Sequence, residues 1–352
     1  MNAVPAMSVE RWTTTSKVAV AATIAVLVGL AAGPQIFGAG TVDRLTTLFI
    51  YVILAAMWNA LAGYGGLVSV GQQVFFGLGA YFAIRLADAG LDPFLSLVVG
   101  AVVVGVIAVP TSVLMLRLKG GEFAIGMWVI AALAHLLVNL DTLVRGETGT
   151  SLIALNAYAV GPRRDGIYWL ALAAMVALLG MLYALLSSRT GAAIQAIRDN
   201  EEAAASLGVR VMRTKRILFV LAARGAAMAG TLWLATSITF QPKSYFGVQW
   251  TAYMIFMVLV GGIGTFEGAI LGAVIFFLIE TWFGSTGVWY LIGLGAAALV
   301  FSLLLPRGLW GAIEDRFQVR LLPVGYRLTA VRDGNGGAMP TEAVSVASSS
   351  KE

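Results

Sequence analysis

The feature of this sequence that most restricts its fold is a succession of apolar stretches, most of them close to the ~20 residues that a helix needs to cross a bilayer. Ten can be delimited, because glycines divide the last apolar block, 249–305, into three. They are 18–37, 43–62, 66–86, 93–116, 122–140, 166–187, 217–238, 249–262, 266–283 and 288–305. Hydrophobic residues make up 59% of the chain and charged residues 12%, which a water-soluble globule cannot accommodate. The sequence therefore predicts an all-α, polytopic transmembrane helical bundle with about ten membrane segments.

The distribution of Lys and Arg predicts the orientation. Sixteen of these residues fall on one side of the predicted segments and six on the other, and Arg224 lies inside the seventh segment. Because positive residues concentrate in cytoplasmic loops, both termini are predicted to be cytoplasmic. The net charge of +5 then reflects topology rather than nucleic-acid binding. The predicted division is a cytoplasmic N-terminus at 1–17, a membrane domain at 18–305 with a cytoplasmic loop at 188–216, and a partly disordered cytoplasmic tail at 306–352.

Two stretches place glycines at membrane depth. Six glycines fall within 63–79, where each weakens a helix by about 1 kcal/mol relative to Ala. The same stretch places three polar residues at membrane depth, Ser69, Gln72 and Gln73. In the second stretch, a four-residue spacing predicts one helix face made of Gly264, Gly268 and Gly272. Such breaks indicate either tight helix packing or paired interrupted segments around a translocation path, which Ser69, Gln72 and Gln73 would line.

The loop at 188–216 is the longest predicted cytoplasmic connection. It contains good helix formers, and Gly208 follows as a helix stop. A shallow apolar face is predicted from Ala193, Ile197, Ala204 and Gly208. This pattern fits a helix that docks into a groove on a soluble partner, and it also fits a helix that lies on the membrane surface.

Several enzyme classes are excluded by residues that the chain lacks. It has no cysteine and one histidine, His135, so no disulfide, thiol nucleophile or multi-histidine metal site is expected. A phosphate-binding Gly-x-x-x-x-Gly-Lys-Ser/Thr loop is missing, as is the Gly-x-Ser-Gly pattern of intramembrane serine proteases. We expect no catalytic residue, no metal site and no cofactor bound by this chain.

One pattern in the cytoplasmic loop carries a family resemblance. The run Glu202-Ala203-Ala204-x-x-x-Gly208 resembles the EAA coupling signature of permeases in binding-protein-dependent ABC importers, without the proline-containing end of its fullest form. The stretches 63–81, 117–124 and 261–272 extend the likeness to branched-chain amino acid permeases of the LivM/LivH type, over about 43–305. Many relatives carry His in place of Gln72, and Arg224 is unexpected in its segment.

The resemblance implies a permease subunit in the bacterial inner membrane that forms half of a translocation path. Its implied partners are a homologous second permease, two cytoplasmic ATPases that use ATP, an extracytoplasmic solute-binding protein and membrane lipid. Coupling to the ATPases would fall to Glu202, Ala203, Ala204 and Gly208. Segment 141–165 would meet the binding protein. Branched-chain or other amino acids are the implied solutes, with urea or short amides as the alternative.

A different class, an ion-coupled secondary transporter or channel, needs ionisable groups within the membrane. The candidates are Arg224, His135, Glu267 and Glu280, the last two close to segment ends. An Arg at the centre of a membrane helix costs ~2.5–3.5 kcal/mol on insertion scales. We therefore expect Arg224 to face a partner, a cavity or an interface, and favour an ion pair over a substrate contact. His135 is expected to be packed or to line the path.

Overall fold

The computed structural model describes residues 7–10, 14–305, 307–317 and 327–330. Within these ranges the chain forms fifteen α-helices and four short strands. The helices are α1 (Thr14–Ala31), α2 (Gly33–Ile36), α3 (Ala39–Asn59), α4 (Gln73–Asp88), α5 (Pro93–Met115), α6 (Gly120–Asn139), α7 (Val160–Leu186), α8 (Arg189–Asp199), α9 (Glu201–Ser206), α10 (Val211–Ser237), α11 (Pro242–Tyr245), α12 (Gln249–Gly261), α13 (Phe266–Phe283), α14 (Val288–Leu304) and α15 (Gly308–Phe317). The strands are β1 (Met7–Glu10), β2 (Thr150–Ser151), β3 (Thr239–Phe240) and β4 (Arg327–Ala330).

The chain divides into two compact units, one formed by 1–26 with 319–352 and one by 27–318. In the first unit, β1 pairs antiparallel with β4, from Met7 opposite Ala330 to Glu10 opposite Arg327. This pairing was not predicted from the sequence. Most of the tail from 318 onward, including the stretch after 332 expected to be disordered, lies outside the described residues.

Each of the ten predicted segments overlaps one of the longer helices, α1, α3–α7, α10 and α12–α14. Among the described residues, eight stretches are long and apolar enough to cross a membrane: Ala39–Tyr64, Pro93–Met115, Gly120–Asn139, Val160–Leu186, Val211–Ser237, Pro242–Gly261, Phe266–Thr286 and Trp289–Arg316. The apolar part of α1, Ser16–Ala31, is shorter, and α4 has 16 residues. Ten crossings and two cytoplasmic termini therefore stay predictions.

Helices α3 and α10 form the centre of the 27–318 unit. In the most apolar part of α3 and the turn that follows it, 83% of residues are buried, against 28% in α6. A helix that is apolar all round is stable only when buried on every side, and every residue from 49 to 65 is buried. Helix α4 packs closely on α10, since a Cβ at Gly230 would overlap the carbonyl of Phe76.

The outer helices expose apolar stripes. On α5 the exposed side chains recur at helical spacing, at Val98, Val102, Val106 and Val109. Helix α6 exposes Trp128 and Leu136 in the same way. In a membrane protein such faces contact lipid or another subunit, because neither requires a polar surface.

Candidate functional site

The first glycine-rich stretch breaks the chain inside the bundle. Helix α3 continues into a π-helix at Ala60–Tyr64, and regular helix resumes at Gln73. At Gly66 the backbone adopts φ +67°, a conformation that glycine enters without steric cost. Because π-helical turns are frequent at functional sites, this break is the first part of the candidate site.

Asn59 joins this break to the second glycine-rich stretch. Its side-chain amide donates to the carbonyl of Thr265 at 2.8 Å, and its Oδ1 accepts from the N–H of Gly264 at 2.8 Å. Only 1% of Asn59 is exposed. The two backbones nearly touch here, since a Cβ at Gly63 would overlap the backbone of Gly264. The two glycine-broken stretches that the sequence suggests as a pair are therefore in direct contact.

The three polar residues of the first stretch are all buried, with exposures of 0% for Ser69 and Gln72 and 1% for Gln73. The Gln72 amide donates to the carbonyl of Ala222 at 3.4 Å, while its buried Oε1 has no hydrogen-bond partner among the described residues. Gln73 Oε1 accepts from the Thr251 hydroxyl. In this conformation these residues lie inside the helix bundle rather than along an open passage.

The predicted helix face of three glycines is only partly formed. Gly264 lies in the turn between α12 and α13 with φ +74°, because α13 begins at Phe266. A Cβ at Gly268 would overlap the turn before α13, at Thr265. A Cβ at Gly272 would overlap the carbonyl of Met257 in α12. The prediction that Gly264 shares this packing face is wrong, and Gly264 instead receives the Asn59 contact.

The loop at 188–216, predicted to be cytoplasmic, forms two helices rather than the single helix that the sequence suggests. They meet at Asn200, whose extended backbone (φ −157°, ψ 105°) ends α8. The Asn200 side chain then caps α9 by accepting from the N–H of Ala203 at 3.0 Å. Gly208 adopts φ +84°, and the N–H of Val209 donates to the carbonyl of Ala204 at 3.1 Å. This is the glycine-terminated helix end that the sequence predicts.

The predicted apolar face of this loop is divided in the structure. Ile197 and Ala204 pack inward and are only 4% and 2% exposed, whereas Ala193 is partly buried and Gly208 is exposed. The outward face carries Glu202, Ala203 and Gly208, together with Leu207, which is 85% exposed. This outward face is the part of the loop that is accessible to a partner.

Two polar contacts fasten the loop to the membrane helices. The Arg198 guanidinium donates from Nη1 to the carbonyl of Gly63 at 3.0 Å and also pairs with Asp199 at 2.9 Å. Lys215, at the start of α10, pairs with Glu201 at 2.7 Å. Through Arg198, α8 is bonded directly to the π-helix, which Asn59 connects in turn to the α12–α13 turn.

At the opposite end of the bundle, Glu147 holds the loop after α6. Its carboxylate lies 2.8 Å from His135 Nε2 and accepts from Asn139 at 2.6 Å and from the Lys243 N–H at 3.0 Å. Partial burial raises the pKa of Glu147, but the Asn139 hydrogen bond and the nearby His135 outweigh it, so the pKa lies below its usual value. Strand β2, which follows Glu147 in the chain, pairs antiparallel with β3, which precedes Lys243. His135 thus belongs to this end-loop cluster.

Arg224 is exposed on α10. Its aliphatic stem lies against Gly105 of α5, where a Cβ would overlap it. The ion pairs among the described residues do not include Arg224. An ion pair of Arg224 with another subunit therefore stays a prediction. Within the same residues, no group of three or more His, Cys, Asp or Glu could hold a metal ion.

Sequence reasoning missed three residues of this arrangement: Asn59, Arg198 and Leu207. An Asn at the end of a long apolar run was the available signal for Asn59, because a buried amide needs partners. The sequence distinguishes Arg198 only as one contributor to the charge bias. Leu207 was overlooked because the motif emphasises the small residues around it.

Comparison with known proteins identifies the family. The family model described as branched-chain amino acid transport system / permease component matches residues 40–306. The high-affinity branched-chain amino acid transport system permease protein LivM of Escherichia coli is 27% identical over 313 residues, covering 81% of this chain and 73% of that protein. The fructose import permease protein FruG of Bifidobacterium longum is 24% identical, covering 81% and 89%.

Among solved structures, an inward-facing metal-chelate type ABC transporter is similar with a TM-score of 0.45 and 17% identity, covering 86% of this chain and 100% of that one. The family match spans 40–306, from α3 to α14, and eight apolar stretches of the described residues are long enough to cross a membrane. The chain belongs to the branched-chain amino acid transport system permease family and is a multi-pass protein of the cell inner membrane.

Proposed function

We propose that this chain is one permease subunit of a binding-protein-dependent ABC importer, forming half of its translocation path. Its partners would be a homologous second permease, two cytoplasmic ATPases that use ATP, and an extracytoplasmic solute-binding protein. The observation that carries the proposal is the bonded connection from the cytoplasmic loop to both glycine breaks. It runs from Arg198 to Gly63 at 3.0 Å and from Asn59 to Thr265 at 2.8 Å.

In this mechanism, closure of the ATPase dimer displaces α8 and α9 together. Because Arg198 holds the carbonyl of Gly63, the displacement acts on the π-helix and the irregular stretch after it. That stretch is suited to move, since it is not helical and Gln72 Oε1 accepts no hydrogen bond from the described part of the chain. An unpartnered buried acceptor costs ~1–3 kcal/mol, so a rearrangement that exposes it to water or solute is favoured. Ser69, Gln72 and Gln73 would then line the opened path.

The coupling surface would consist of Glu202, Ala203, Leu207 and Gly208, while Ala204 supports it from beneath. Leu207 is 85% exposed and would enter an apolar groove on an ATPase. Lys215 and Glu201 keep α9 in position against α10. The short side chains of Ala203 and Gly208 lose little entropy on docking, which favours binding.

Amino acids, branched-chain ones first, are the solutes that the resemblance to LivM supports. A sugar is the second candidate, because the FruG relative is a fructose import permease by name and is matched over 89% of its length. Urea and short amides, or ion-coupled transport without ATPases, are the remaining alternatives. A ligand screen on the solute-binding protein encoded beside this chain would decide between amino acids, sugars and amides.

The coupling role is tested with Leu207→Asp and Gly208→Val in the assembled transporter. Asp removes the apolar contact, and Val is strained at φ +84°. Both variants should insert normally, lose co-purifying ATPase and lose solute uptake in vesicles. Gly90→Val is the matched control, because Gly90 has a similar φ of +94° with open space around it and lies on the opposite side of the predicted topology, outside segment 141–165. Wild-type co-purification and uptake by both variants would remove the coupling role.

A further inference from the structure

A crevice of about 340 Å³ opens between the first turns of α3 and α7 and the end of α10. Its polar lining consists of Asp43, Thr46, Thr47, Arg163, Arg164 and Thr236. The charge bias predicts that this end of the bundle is extracytoplasmic. Pockets for small molecules occupy ~300–1,000 Å³, so the crevice is large enough for a small solute and its water.

The charges in the crevice are of both signs. Arg163 is engaged, donating to Asn156 Oδ1 at 2.8 Å. Arg164 is less satisfied: its buried Nε makes no hydrogen bond among the described residues, and the nearest carboxylate, Asp165, lies 3.8 Å away. A buried donor without an acceptor costs ~1–3 kcal/mol, and an anionic group in the crevice would supply that acceptor.

The wall of the crevice contains strained backbone. Ile238, which ends α10, has φ +61°, a conformation that is a genuine outlier for a β-branched residue. Its carbonyl accepts from the N–H of Leu152 at 2.8 Å, so the loop after α6 helps to hold it. Strain of this kind persists where the surrounding structure fixes it, and it concentrates at binding and switch sites.

We propose that this crevice receives the zwitterionic head of an α-amino acid, its carboxylate facing Arg164 and Arg163 and its ammonium facing Asp43. The threonine hydroxyls supply further hydrogen bonds at the rim. The Arg164 Nε lacks a hydrogen-bond acceptor among the described residues, which a carboxylate supplies, and Asp43 offers a carboxylate to an ammonium group. A sugar or an amide carries neither charge and forms no ion pair here. The inference rests on the proposed function, since it requires that amino acids be delivered to this side of the membrane.

The test uses the whole transporter in proteoliposomes, with a radiolabelled amino-acid mixture and the binding protein titrated to saturation. Arg164→Gln and Asp43→Asn should each lower the maximal uptake rate at least tenfold. The binding-protein concentration at half-maximal uptake should stay within twofold of wild type, and ATPase co-purification should be unchanged. Arg44→Gln is the matched control, because Arg44 is exposed next to Asp43 but does not line the crevice.

Uptake by both variants within twofold of the Arg44→Gln control would overturn the inference while leaving the importer itself intact. A loss that a higher binding-protein concentration restores would overturn it too, because the crevice would then be a protein docking site. A loss that appears only in vesicles containing phosphatidylethanolamine would assign the crevice to a lipid head group instead. If the wild-type transporter imports no amino acid, the solute proposal and this inference fail together.

Discussion

The amide of Asn59 is the point at which a single substitution should separate the two glycine breaks. Asn59→Leu keeps the approximate shape of the side chain and removes both hydrogen bonds. The change leaves two backbone groups without their partner, the N–H of Gly264 and the carbonyl of Thr265, each now bonded at 2.8 Å. The α12–α13 turn should then detach from the end of α3 more often.

The size of the effect follows from burial. Asn59 is 1% exposed, but Gly264 and Thr265 are only partly buried, so water recovers part of the loss. A fully buried unpaired group costs ~1–3 kcal/mol, and the low end applies to each group here. The two together amount to about 2–2.7 kcal/mol, which corresponds to roughly a 30- to 100-fold increase in the detached population.

Amide hydrogen exchange on the purified transporter measures this population directly. In Asn59→Leu, the peptide covering 262–268 should exchange roughly 30 to 100 times faster, and solute uptake should fall. Gln35→Leu is the control, because it likewise replaces an amide side chain by Leu, at an exposed site that does not line the crevice. If the 262–268 peptide of Asn59→Leu exchanges within threefold of wild type, Asn59 does not hold the breaks together.

Three further outcomes are expected. Arg198→Gln removes the charged hydrogen bond to the π-helix. It should lower the number of solute molecules transported per ATP hydrolysed several-fold, with ATPase binding retained. An equal ratio in the control Arg189→Gln, which changes an exposed arginine, would contradict this. Single cysteines, in a chain that has none, should be labelled from the cytoplasm at position 206 and from outside at position 148, and the reverse pattern would invert the topology. Because the pKa of Glu147 is lowered in the folded chain, its contacts should stabilise the loop above the usual carboxyl pKa of ~4.3 and be lost as external pH falls below it, measured as proteolysis of 141–151. A Glu147→Gln variant should lack this dependence.

The sequence by itself determined the helical segments and their breaks. Apolar length and glycine content are local properties, and they mark the ten segments and the interruption at 63–72 because a helix forms or fails within a few turns. The left-handed end of α9 at Gly208 was also predictable, since glycine is favoured in that conformation. The family followed from the order of short motifs, which the match over 40–306 confirms.

Tertiary structure decided which of these parts meet. The bonds from Asn59 to the 264–265 turn and from Arg198 to Gly63 join residues more than 130 positions apart, and no local pattern encodes such a distance. The same holds for the face of the 188–216 loop that is buried. Because α9 carries small residues on more than one face, hydrophobic periodicity does not predict which face is buried. In the structure Ala204 is buried and Leu207 is exposed. Burial is a property of the neighbours that a residue finds, and those neighbours come from other helices.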